Sequence, residues 1–189
     1  MTYIRKQYHA LRERILEPRH FMQILAGPRQ VGKSTLVGQV LDDISIPYTL
    51  EVADAVDPKD SDWIHRVWDS ARATMQIRKE QERLLVIDEV QKIDNWSEMV
   101  KREWDEDCRR HVNLKVVLLG SSRLLLKRGM TESLAGRFEL IRLGHWSLQE
   151  MRDAFGVTLD QYIYFGGYPG PAGMIDNEKR WRKYIKDSL

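Results

Sequence analysis

The chain has 189 residues, which fits one domain with some extra at about 100–200 residues per domain. Its apolar content of 42% supports a sizeable core, and 30 Lys and Arg against 28 Asp and Glu leave a net charge of +2, which makes no general case for nucleic acid or an acidic membrane. A single cysteine, Cys108, excludes an internal disulfide. It suits a reducing compartment, and with no apolar leader in Met1 to Arg14 and no window near a membrane span the chain is read as cytoplasmic.

In chain order, Tyr3 to Leu16 has a helical pattern (Ile4, Tyr8, Leu11, Ile15), ended by Pro18. Phe21 to Ala26 is an apolar strand candidate, and Lys33 to Leu41 reads as a helix. Tyr48 to Val52 is a second strand, followed by an Asp-rich loop from Ala53 to Ser61. Asp62 to Gln81 is helical, and Arg83 to Ile87 is a third strand. Asn95 is placed to cap a helix to about His111, with Trp96, Val100, Trp104 and Cys108 on its inner face. Leu114 to Leu119, nearly all apolar, is a fourth strand buried on both faces. Ser121 to Gly136 reads as loop with helical turns, and Phe138 to Leu143 as a fifth strand. Ser147 and Glu150 form a capping box before a short helix. Helices over Leu159 to Tyr164 and Asn177 to Lys186 flank the breaker cluster Gly166 to Pro171. Strands alternating with helices imply an α/β fold with a central parallel five-stranded sheet flanked by helices. Residues 1–146 are expected to form the core with its N-terminal helix. Residues 147–189 are expected to form a helical C-terminal segment, a truncated lid or a linker to a second domain.

Between the first strand and its helix lies Gly27-Pro28-Arg29-Gln30-Val31-Gly32-Lys33-Ser34-Thr35, which matches G-x-x-x-x-G-K-[ST]. In such a P-loop the backbone N–H groups wrap a polyphosphate at the positive end of a helix. Lys33 is the candidate for the β/γ-phosphates and Ser34 for Mg²⁺. The third strand ends in Asp88-Glu89, as a Walker B segment does. An acid at a strand's C-terminal end faces the crevice where open α/β sheets bind ligands. Asp88 is read as a Mg²⁺ carboxylate and Glu89 as the base that orients water. The fourth strand can insert between the P-loop strand and the acidic strand. That would set Ser121 or Ser122 beside the γ-phosphate as a sensor, or as a plain helix cap.

The chain resembles an AAA+ ATPase of the prokaryotic family in which such a domain precedes a C-terminal domain of unknown function. The resemblance rests on Gly27 to Leu36, Ile87 to Lys92 with Trp96, Gly120-Ser121-Ser122, and Leu134-Ala135-Gly136-Arg137. Later matches are Trp146 to Glu150 and Gly166-Gly167-Tyr168-Pro169. It implies a P-loop NTPase that binds ATP with Mg²⁺ and hydrolyses it, with Arg137 as a charge donor to the transition state, from a neighbouring chain or in cis; a structural salt bridge is the plain alternative. Members continue into a second domain, and this chain stops about where that would begin. The family's helical lid arginine has only Arg180 and Arg182 as candidates here. Self-association or a protein partner stays open, and no nucleic-acid signature is present.

Gln91-Lys92-Ile93-Asp94 resembles the guanine-reading N-K-x-D but directly follows the acidic strand, so adenine is favoured. The histidines show no metal-ligand spacing. Lys179 to Lys183 reads as a solvated helix face. Two other functions fit the motifs: a nucleotide-gated binding or regulatory module with little turnover, and a small-molecule kinase.

Overall fold

The computed structural model describes residues 3–121 and 133–188. Its helices are α1 (Lys6–Leu16), α2 (Lys33–Asp43), α3 (Trp63–Arg78), α4 (Trp96–Arg110), α5 (Leu148–Phe155), α6 (Leu159–Phe165) and α7 (Glu178–Ser188). Its strands are β1 (Met22–Gly27), β2 (Tyr48–Val52), β3 (Arg83–Asp88), β4 (Leu114–Ser121) and β5 (Phe138–Arg142). They form one sheet in the order β2-β3-β4-β1-β5, with every pairing parallel. β4 does enter between β1 and β3, so the P-loop strand and the acidic strand each border it.

Side chains alternate between the two faces of a strand, and the core divides accordingly. Ile24, Leu85, Ile87, Val116 and Leu118 pack against α3 and α4. Leu25, Leu84, Val86, Val117 and Leu119 pack under α1 and α2. The three inner strands are therefore mostly apolar and wholly buried, with Gln23, Arg83, Asp88, Lys115 and Ser121 as their buried polar residues. β2 is one edge of the sheet, and its Tyr48, Leu50 and Val52 are about half exposed. Among the described residues no helix is long and apolar enough to cross a membrane.

The structure corrects several local readings. Ile4 precedes α1 and is exposed. Asn95 sits at the start of α4, but its side chain makes no cap hydrogen bond; it supplies a left-handed backbone (φ 53°), which Asn tolerates better than most residues. Cys108 is exposed rather than buried. A spacing of four residues overshoots a helical turn of 3.6, so a stripe begun at Trp96 has rotated out of the core by Cys108. Asp107 takes the inward position with no exposure at all.

That carboxylate accepts from Trp68 Nε1 at 2.7 Å and from Arg72 Nε at 2.8 Å, while Arg72 Nη1 also reaches Glu103 at 2.8 Å. His65 lies beside Asp69 and Glu103, with ligand atoms within 4.8 Å of one another. Those carboxylates are already bound by Arg72 and, for Glu103, by Arg102. The cluster is an ion-pair network joining α3 to α4. Asp107→Ala would leave the buried Trp68 N–H without its acceptor and take one carboxylate from Arg72, which keeps Glu103 and Asp69, so the cost should stay below the about 3–5 kcal/mol of a buried charge left wholly unpaired. A lower urea midpoint with an unchanged slope is the expected result.

Candidate functional site

β1 ends at Gly27 under a tight constraint. A Cβ there would stand 2.0 Å from the carbonyl oxygen of Leu143, the residue after β5. The chain then turns through two left-handed residues, Gln30 (φ 61°) and Gly32 (φ 91°), and enters α2 at Lys33. The N-terminal end of α2, with its unpaired backbone N–H groups, thus faces the mouth of the loop.

Lys33 is buried, and its Nζ donates to the carbonyls of Gly27 (3.1 Å) and Pro28 (2.7 Å). Burial pushes its pKa below the usual lysine value; Glu89 and Asp88 oppose that shift and the Arg29 charge adds to it. Ser34 Oγ donates to Asp88 Oδ2 at 2.6 Å, joining the first turn of α2 to the end of β3. Asp88 Oδ1 accepts the Glu89 N–H at 2.7 Å. Glu89 turns the chain out of β3 with φ 55°, and its carboxylate accepts from the Gln91 side-chain amide. A hydroxyl and a carboxylate in contact are the hard oxygen donors that Mg²⁺ prefers, so Ser34 and Asp88 fit that ion.

Lys33, Ser34 and Glu89 border a cleft of about 670 Å³. The P-loop contributes Arg29, Gln30, Gly32, Lys33, Ser34 and Thr35; Asp54, Glu89 and Lys92 face them, with Pro169-Gly170 at the rim. Lys92 Nζ pairs with Asp54, whose carboxyl that bond holds below the usual range. A second cavity of about 250 Å³ adjoins the cleft through Gly32, Thr35 and Pro169. Its walls include Tyr3, Leu36, Trp146 and Phe155.

The loop is braced from behind. The Val31 carbonyl accepts from Trp146 Nε1 (3.0 Å) and Arg5 Nη1 (3.3 Å), and Arg5 is itself paired to Glu150 at 2.8 Å. Trp146 anchors a small core with Met151, Val157 and Ala172, on which Tyr3 packs. From α7, the Tyr184 hydroxyl lies 3.1 Å from the Gln30 side-chain oxygen.

Register sets Ser121 opposite Gly27 at the end of β4, where it is buried. Ser122 lies outside the described residues. Arg137 is not brought to this cleft. Its carbonyl accepts from Met22 N–H at the other end of β1, roughly 16 Å below Gly27 at about 3.3 Å per residue. Its guanidinium is held at 2.7 and 3.0 Å by both oxygens of Asp105 on α4. In this arrangement Arg137 lies away from the cleft, and a role in trans requires it to exchange Asp105 for a neighbour's phosphate. Asp54, Lys92, Arg5 and Tyr184 also neighbour the loop, and no motif contains them as such. Only Asp54 carried a signal, since it follows a strand's C-terminal end.

A profile of the AAA domain matches residues 19–152, most of the chain. The chain belongs to the AAA domain family. An AAA domain carries the P-loop NTPase nucleotide-binding module, and the loop, strand order and acidic strand end described above are those of such a module. Among solved structures, a RuvB variant from Thermotoga maritima is similar at 13% identity and a TM-score of 0.56, over 95% of this chain and 60% of that one. At that identity the likeness speaks to the fold alone, and this AAA chain spans about 60% of the RuvB chain's length. No curated protein matches.

Proposed function

We propose that this chain binds ATP with Mg²⁺ in the cleft and hydrolyses it to ADP and phosphate. The observation that carries the reading is the 2.6 Å contact between Asp88 and the cleft-lining Ser34, with Glu89 next in the chain. It joins the two halves expected of a phosphate and metal site. The backbone N–H groups of Gly27 to Thr35 take the phosphates. Lys33 leaves the two loop carbonyls and places its charge on the β/γ-phosphates. Mg²⁺, held by Ser34 and the Asp88 carboxylate, would supply positive charge to the same oxygens. The base enters the aromatic cavity of Tyr3, Trp146 and Phe155, which opens from the cleft beside Thr35. Stacking on such rings suits a purine, and the missing guanine motif favours adenine.

Glu89 takes a proton from water as the water oxygen bonds to the γ-phosphorus. The bond from that phosphorus to the β–γ bridging oxygen breaks, ADP keeps the oxygen, and Glu89 returns the proton to solvent. The work of the protein is positioning and charge. Ser121, at the end of β4, is the side chain proposed to report the γ-phosphate. Multiple-turnover phosphate release from MgATP without any added acceptor tests the reading. Steady release is expected. A single stoichiometric event followed by none would indicate a nucleotide-gated module, and phosphate appearing only with an added acceptor would indicate a kinase.

A further inference from the structure

The cleft holds three cations, Arg29, Lys33 and Lys92, and two of them are committed. Lys33 Nζ is bound to the Gly27 and Pro28 carbonyls, and Lys92 is paired with Asp54. Arg29 is different. It is exposed on the outer limb of the P-loop, lines the cleft, and makes no hydrogen bond or ion pair among the described residues. Its charge is close enough to be felt by both Lys33 and Asp54, on the two sides of the cleft. Most other arginines among the described residues are tied down, such as Arg5 to Glu150, Arg72 to three carboxylates, Arg83 to Glu80 and Arg137 to Asp105. Other exposed arginines among the described residues, Arg78 and Arg152 included, also lack a carboxylate, but Arg29 is the one that lines the cleft.

We propose that Arg29 is a catalytic residue that supplies, from within the chain, the positive charge needed by the transferring phosphoryl group. The inference rests on the hydrolytic reading above and adds to it the identity of that cation. Arg29 starts on the rim, beyond the Lys33 and Ser34 positions that hold the ground-state phosphates. A guanidinium fork can bridge two phosphoryl oxygens at once. Swinging inward breaks no existing bond, whereas Arg137 would have to give up a bidentate carboxylate.

Binding and turnover are measured on the full chain for wild type, Arg29→Ala and Arg29→Lys. Wild type should bind MgADP with fluoroaluminate, a mimic of the transferring phosphoryl, more tightly than MgADP alone. Arg29→Ala should lose that tightening while keeping near wild-type MgADP affinity. Its turnover should fall on the order of 10³-fold, the low end for an arginine at this position in the reaction. Arg29→Lys should fall between, because it keeps the charge and loses the fork. The wild-type rate per chain should not change with chain concentration. Retained tightening in Arg29→Ala, or a rise in KM with kcat unchanged, would overturn the assignment. So would a rate per chain that climbs with concentration and survives the substitution. A wild-type chain with neither fluoroaluminate tightening nor phosphate release would instead sink the hydrolytic reading itself.

Discussion

Glu89→Gln should bind MgATP about as tightly as wild type and hydrolyse it slower by a factor on the order of 10²–10⁴, the usual contribution of a general base. The residue lines the cleft, but Asp88, not Glu89, is the acid in contact with Ser34. Removing the Glu89 charge therefore takes away a proton acceptor and leaves the phosphate cradle whole. The substitution is nearly isosteric, and the backbone turn at φ 55° is unaffected by the change from acid to amide. The local cost falls on the Gln91 contact, where an amide would face an amide and one flip restores the hydrogen bond, and on the support the carboxylate gives the Lys33 charge, which Asp88 still supplies. Single-turnover phosphate release with the chain in excess checks this. A variant that releases phosphate at the wild-type rate would place the base elsewhere.

Lys33→Ala should act on binding. The ammonium is the loop's buried cation, desolvated and held by two carbonyls, so it is already placed for phosphate. A polyphosphate in the cradle would exchange those neutral acceptors for charged ones, and charge-assisted hydrogen bonds are about twice as strong as neutral ones. The variant should lose MgATP affinity by at least roughly 100-fold, since about 1.5–3 kcal/mol per hydrogen bond to a charged group is removed from more than one contact. The fold should hold, because the side chain packs on loop carbonyls rather than on the hydrophobic core. Titration with a fluorescent ATP analogue, alongside a denaturation curve, separates the two effects. Unchanged affinity in a folded variant would show that the loop does not hold phosphate.

Much of the fold was legible in the sequence because local pattern and topology agree. The inner strands are mostly apolar, as burial on both faces demands. The acidic end of β3, two strand-helix units after the P-loop, left room for β4, and β4 is there. The Ser147 capping box is a signal confined to four residues, and it is present as read. What escaped was decided at longer range. Cys108 turned outward because four-residue steps drift around a helix, and the buried network about Asp107 needs α3 as well as α4. β2 was read only as a strand, and its place at an edge of the sheet is set by pairing that the segment alone does not show. The bracing of Val31 by Arg5 and Trp146 joins residues 26 and 115 positions away, a distance no motif spans. Arg137 was singled out by resemblance, and its partner Asp105 lies on a helix 32 residues earlier.

The central claim is that the Gly27 to Thr35 loop and the Asp88-Glu89 strand end act together on one MgATP. A crystal structure of the Glu89→Gln chain grown with MgATP tests it most directly. The account predicts the triphosphate wrapped by the loop, the Lys33 Nζ moved from the Gly27 and Pro28 carbonyls to the β/γ-phosphates, and the metal bonded to Ser34 Oγ. It also predicts the base between Tyr3, Trp146 and Phe155. A nucleotide seated outside the cleft, or one bound in it with Lys33 still on the loop carbonyls, would contradict the account.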